Sequence, residues 1–230
     1  KPAAIAIAIG VGMFIYGLNV AHDLQIGDLD PGAPELRADS RYNKDIAFIS
    51  ENYSVSTDIF AVIVKTPVDS CSTYWKMSLA NELEWRVRQL EGVDDVRGLN
   101  VRSRKVMAGV NEGFPKWNNL FASQGTLNYA VTELVTLNMV DPGCSLWPMQ
   151  IYLADHKAAT LTRVVETLEA FNEEFKDDMG GELEFLGAAG SSGFEAATNI
   201  VVKKANREML YYVYSAVIFL CMLTFRSVTG

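Results

Sequence analysis

The chain has 230 residues, 49% hydrophobic and 21% charged, with a formal net charge of −8. All 28 acidic residues fall between Asp23 and Glu208 together with 18 of the 20 basic ones, so this segment carries −10 and the flanks +2. That balance argues against a nucleic-acid partner, which needs clustered Lys and Arg to neutralise phosphates; the one short basic tract, Arg102, Arg104 and Lys105, reads as a solvated strand end.

The first element is an uncharged apolar run over residues 3–21, interrupted only by Asn19. A helix needs about 20 apolar residues to cross a bilayer, and the run is of that order. It has no small-residue cleavage motif before His22, so it reads as a membrane helix rather than a signal peptide. Its Lys-Pro start reads as a segment of a longer chain. Residues 28–34, Asp-Leu-Asp-Pro-Gly-Ala-Pro, are rich in turn formers. Residues 37–52 form a short helix with Ile46 and Ile49 on one face. Asn52-Tyr53-Ser54 fits a glycosylation acceptor, which matters only in a eukaryotic secretory pathway.

Residues 59–64, Ile-Phe-Ala-Val-Ile-Val, form a strand buried on both faces. Ser72 or Thr73 caps the next helix, where Met77, Ala80, Leu83, Val87 and Leu90 recur at three- and four-residue spacing. Gly92 stops it, and a second strand covers 93–101. An insertion over 103–146 follows, with Phe114, Pro115, Trp117 and Phe121 and a helix over 126–139. The pattern then repeats: a strand over 149–153, a helix over 158–179 with Leu161, Val164, Val165, Leu168, Phe171 and Phe175 on one stripe, a stop at Gly180-Gly181, and a strand over 183–186. The order is α+β, a ferredoxin-like split βαβ domain with two helices on one face of a four-stranded antiparallel sheet.

That strand order pairs two cysteines. Cys71 follows the end of the first strand and Cys144 just precedes the third, its antiparallel neighbour, so the two α-carbons fall within disulfide range. Cys221 lies in the second apolar run and reads as a buried thiol.

Residues 194–225 contain neither Pro nor Gly. They read as one helix that leaves the domain and enters the membrane over the uncharged stretch 209–225. Lys1 before the first run and Arg226 after the second mark the cytoplasmic side. Phe14, Tyr16, Tyr211, Tyr212 and Tyr214 fall at the opposite interface, which leaves residues 22–208 outside. The organisation is then a first membrane helix over 1–22, an outer domain over 23–193, a connecting and second membrane helix over 194–226, and the start of a cytoplasmic turn over 227–230.

The Lys-Pro opening, the Asp28-Leu29-Asp30-Pro31-Gly32 exit, the βαβ-βαβ domain and the closing Leu223-Thr224-Phe225-Arg226-Ser227, in that order, resemble the resistance-nodulation-division (RND) superfamily of exporters. The likeness is to the branch of hydrophobe exporters and mycobacterial large membrane proteins. The resemblance spans the whole chain and implies a bacterial inner-membrane protein with its outer domain on the periplasmic or extracellular side. It implies as partners the lipid bilayer, a hydrophobic or amphiphilic substrate and the remainder of the transporter chain, and it leaves self-association open. It implies no cofactor and no enzyme activity, and puts the proton-relay carboxylates on a later membrane helix.

For the site itself, Phe114, Trp117 and Phe121 are candidate substrate contacts, an aromatic group in a polar insertion, with a small satellite core as the alternative. Gly187, Gly190 and Gly193 lack the spacing of a dinucleotide loop or nucleophile elbow and read as a strand-to-helix joint. His22 and His156 are far apart, and no set of metal ligands stands out. The acidic pairs Asp94-Asp95, Glu173-Glu174 and Asp177-Asp178 read as solvated faces. A ligand-sensing receptor with two membrane helices is the competing class of function, and a scaffold in a secretion complex is a third.

Overall fold

The computed structural model describes residues 2–22, 27, 36–53 and 58–225. The turn at 28–34, the flanking Lys1 and Arg226, residues 227–230 and Ser54 of the Asn52 sequon lie outside the described residues.

Helices α1 (Pro2–His22) and α2 (Arg41–Asn52) come first. Ser40 caps α2 by accepting from the Asn43 amide, and Ile46 is its buried residue. The β-branched run forms β1 (Ile59–Lys65), followed by α3 (Tyr74–Arg88) and β2 (Val93–Arg97). The second half gives β3 (Leu146–Leu153), α6 (Ala158–Glu174), the short α7 (Lys176–Met179) and β4 (Glu184–Ala189). The strands make one antiparallel sheet in the order β2-β3-β1-β4. On one face Phe60, Val62, Val64, Trp147, Met149 and Ile151 share a core with Met77, Leu83 and Val87 of α3 and Leu161, Val164 and Phe171 of α6. Each large apolar side chain so buried contributes roughly 1.5–3 kcal/mol.

Three sequence expectations change. First, β1 is not buried on both faces: Phe60, Val62 and Val64 are enclosed, while Ile59, Ala61 and Ile63 are half-buried. A continuous apolar run cannot by itself report whether the second face finds a cover. Second, β2 ends at Arg97, and residues 99–110 are helical, α4 (Leu99–Val110). Gly98 breaks the strand, and the side chain of Asn100 in the new helix is held by a distant carboxylate. Arg102, Arg104 and Lys105 therefore sit on a helix rather than at a strand end. The insertion accordingly begins at Leu99 and continues through a 3-10 turn at Pro115–Trp117 to α5 (Gln124–Thr136), which starts two residues and ends three residues before the expected 126–139. Third, the long helix breaks at Phe175 before α7, which ends at Gly180 in the left-handed region (φ 53°).

Helix α8 (Gly190–Phe225) follows β4 without a loop. Gly190 makes this possible: its φ is +78°, and a Cβ there would lie 2.8 Å from the Ile59 carbonyl oxygen. Ser192 and Ala196 of the first turns are buried; farther along, large apolar side chains from Met209 to Leu223 are exposed. Among the described residues α8 is the one helix long and apolar enough to cross a membrane, over Gly190–Thr224; the apolar stretch in α1 is Ile7–Ala21.

Cys71 and Cys144 are joined in a disulfide with α-carbons 5.1 Å apart. The ladder between the two segments runs on past β1 and β3 to reach them: Thr66 N donates to Ser145 O, Asp69 N to Gly143 O and Cys71 N to Cys144 O. Cys144 (φ 48°) and Asp69 (φ 58°) take left-handed conformations in the turns that bring the two thiols together. A disulfide and a membrane-length helix in one chain point to a membrane or extracytoplasmic location.

Candidate functional site

Residues that pair across an antiparallel sheet point to the same side. The register puts Ala61 against Gln150, Ile63 against Pro148 and Leu186, and Lys65 against Leu146 and Glu184. These residues form the face of the sheet away from α3 and α6. At its β1–β3 centre this face borders the insertion. There Ile63, Leu146, Pro148 and Gln150 meet Arg102 of α4 and Met139 after α5 around an open groove of about 590 Å³. Leu146 is 41% exposed and Met139 38%, so the apolar lining is in contact with solvent. That volume falls in the range of small-molecule sites.

Two devices fix the groove. At its rim, Asp141 closes the loop before β3. Its carboxylate accepts from the Gly143 and Ser145 amides, the Ser145 hydroxyl and the Leu146 amide. Burial acts to raise its pKa, but the hydrogen bonds from Leu146, Ser145 and Gly143 outweigh it and hold the carboxyl below its ordinary value. The Cys71–Cys144 bridge anchors the same loop.

The second device holds α4. Its N-cap, Gly98, has no side chain to offer the first amides. Glu84 of α3 instead holds side chains of the first turns: Asn100 Nδ2 donates to Glu84 Oε1 at 3.2 Å, and the Arg104 guanidinium lies 3.9 Å from Oε2. Glu84, Asn100 and Ser103 are almost wholly buried, and Glu84 Oε2, Asn100 Oδ1 and Ser103 Oγ have no hydrogen-bond partner. Burial raises the Glu84 carboxyl to about 7, against the opposing pull of Asn100, Arg104 and Arg88. The clamp sets α4 and with it Arg102, two residues beyond Asn100. Arg102 reaches over the sheet, where its Nη2 donates to Gln150 Oε1 at 2.7 Å and its Nη1 to Met139 Sδ at 3.0 Å.

The three aromatic candidates fall elsewhere on the insertion. Trp117 and Phe121 are half-buried, with ring centroids 5.5 Å apart, and the 3-10 turn that carries Trp117 packs on α4. Phe114 is 61% exposed, and the Lys116 ammonium lies 6.0 Å from its ring and 5.4 Å from that of Trp117. None of the three lines the groove. The glycine segment is the joint into α8 already described. Sequence reasoning passed over Arg102, Met139, Leu146 and Gln150, because they are brought together by pairing across the insertion. The one local signal was the spacing of Leu99, Ser103 and Val106, which marks α4 as a helix with a buried side.

A second concavity, about 630 Å³, lies on the outer side between Tyr74, Trp75 and Leu79 of α3 and Phe175. Its charged residues are the carboxylates Glu82 and Asp178, and Glu82 is already paired with Arg86.

No family model, curated protein or solved structure matches the chain.

Proposed function

We propose that this chain comprises the first membrane helix, the substrate-handling outer domain and the second membrane helix of an RND-type exporter of hydrophobic or amphiphilic molecules. The observation that carries the reading is the direct passage of β4 into α8. The sheet that floors the groove is covalently continuous with a 36-residue helix, about 54 Å long at 1.5 Å per residue. Its last 17 residues, 209–225, are uncharged and cover about 25 Å, near the thickness of a hydrocarbon core. A molecule leaving the bilayer beside this helix meets the groove's domain at the other end.

Other features support the same reading. Strand order β2-β3-β1-β4, with helices after β1 and after β3, is the order a ferredoxin-like split βαβ domain would have. Ile5, Met13, Phe14 and Tyr16 of α1 and Tyr211, Tyr212 and Phe219 of α8 are all more than half exposed, a surface suited to lipid rather than water. The disulfide fits an oxidising, outer compartment. Three cations, Lys203, Lys204 and Arg207, stand on the domain side of the α8 apolar stretch. They do not reverse the orientation: a loop this long is outside the regime, roughly 60 residues or fewer, where Lys and Arg direct topology.

The test is export. In cells that make the complete protein, Ile63→Trp, which fills the groove floor, should reduce efflux of an amphiphilic fluorophore while membrane levels of the protein stay constant. The same substitution in a two-helix receptor would leave efflux unchanged and alter a ligand response instead, and that result would overturn the exporter reading.

A further inference from the structure

We infer that the groove between the insertion and the open sheet face takes one anionic amphiphile drawn from the membrane, its head on Arg102 and its tail along Met139, Leu146 and Pro148. The inference rests on the exporter reading and narrows its substrate class. It starts from how the arginines of the domain are paired. Between residues 58 and 189 Arg86, Arg88, Arg97, Arg104 and Arg163 each have a carboxylate within 4.0 Å. Arg102 is the exception among the described residues: its partners are an amide oxygen and a thioether.

A guanidinium has five N–H donors arranged to grip a carboxylate or phosphate in bidentate fashion, and a thioether is a weak acceptor. Arg102 therefore spends two contacts on poor substitutes for an anion. It does so in a segment with an acidic excess of ten charges, where a carboxylate partner is the ordinary outcome. The groove's own acid, Asp141, is not that partner, because its oxygens are taken by the loop amides of Gly143, Ser145 and Leu146. What remains is a cation without a counter-ion at one side of an apolar, solvent-open trough. Charge complementarity and the apolar lining together select a molecule with one anionic end and one hydrocarbon end. A cationic or neutral amphiphile would leave the guanidinium as it is and gain only the tail contact.

The test uses the full chain in nanodiscs of zwitterionic phosphatidylcholine. Two photoreactive probes with the same diazirine-bearing hydrocarbon chain are compared, one ending in a carboxylate and one in a trimethylammonium group, and labelled peptides are mapped by mass spectrometry. The carboxylate probe should label the 138–150 segment several-fold more than the ammonium probe. R102Q should bring the carboxylate probe down to the ammonium level, whereas R97Q, which removes an arginine paired with Asp95, should change nothing. Millimolar acetate should not compete. Equal labelling by the two heads, or labelling indifferent to R102Q, overturns the head-group assignment and leaves an apolar site. Full competition by acetate overturns the amphiphile in favour of a free small anion. Absence of labelling by either probe overturns the exporter groove itself. The head-group comparison on the wild-type chain is decisive whether or not R102Q folds.

Discussion

Glu84 makes folding stability depend on pH in a direction opposite to that of most paired carboxylates. Its carboxyl is buried and raised from 4.5 to about 7. The folded state therefore holds the proton more tightly than the unfolded chain. The stabilisation from this group is fully present below about pH 4.5, the unfolded value, and is lost as pH rises through the folded value near 7. Each pKa unit is worth 1.36 kcal/mol, so a shift of this size costs the folded state roughly 3 kcal/mol by pH 8. Glu84→Gln keeps the shape and the acceptor for Asn100 and removes the titration. Denaturant unfolding of the full chain in neutral detergent micelles, followed by tryptophan fluorescence, measures the effect cleanly. All 4 tryptophans (Trp75, Trp85, Trp117 and Trp147) lie in the domain and none in α1 or α8. The difference between wild type and variant should change by roughly 2.5 kcal/mol between pH 5 and pH 8, in favour of the variant at high pH. Subtracting the two profiles cancels the other carboxylates, including Asp94, which burial raises, and Asp141, which loop hydrogen bonds lower. Parallel profiles for the two proteins would refute the argument that Glu84 titrates within the folded α3–α4 clamp.

Three further expectations concern stability in the same micelles, the last joined to export measured in cells. Reducing the Cys71–Cys144 bridge, which spans a sequence separation of 73, should lower stability by up to about 4 kcal/mol by the chain-entropy estimate; an unchanged denaturation midpoint with and without reductant would contradict it. Gly190→Ala should destabilise the domain by more than about 1 kcal/mol, because the residue has positive φ and its Cβ would press on the Ile59 carbonyl; a thermal midpoint equal to wild type would show that the joint tolerates a side chain. Phe114→Ala should leave the denaturation midpoint within about 0.5 kcal/mol of wild type, since the ring is exposed. A loss of export in that variant with unchanged stability would make the aromatic tip a substrate contact, and unchanged export would leave it a surface residue.

Much of the architecture was legible because the two halves carry their own periodicity. Met77, Ala80, Leu83 and Val87 mark α3, and Leu161, Val164, Leu168 and Phe171 mark α6; all are buried where the spacing puts them. Strand order then followed, and with it the Cys71–Cys144 pairing, since a disulfide between neighbouring strand ends needs only topology. The groove was not legible. Residues 99–101 extend β2 by composition, but they are helical, and Glu84, distant in sequence, holds the side chain of Asn100 there. Arg102 read as surface charge because its significance lies in what it lacks, and a missing counter-ion appears only when Gln150 and Met139 are seen beside it. The aromatic cluster was visible as composition; which of its rings pack on α4 and which stay exposed depends on the turn at Pro115–Trp117.

Leu146→Cys, placed on the solvent-open edge of the groove, gives the most direct test of an outer domain that handles substrate. In intact cells making the complete protein, with Cys221 changed to Ser, its reaction with a membrane-impermeant maleimide can be timed with and without an anionic amphiphile. A cysteine at Glu173, on α6 and away from the groove, serves as the control. Both cysteines should react from outside, and the amphiphile should slow only the one at position 146. Reaction at neither site until the cells are lysed would contradict the outward orientation, and equal rates at position 146 with and without the amphiphile would contradict the groove.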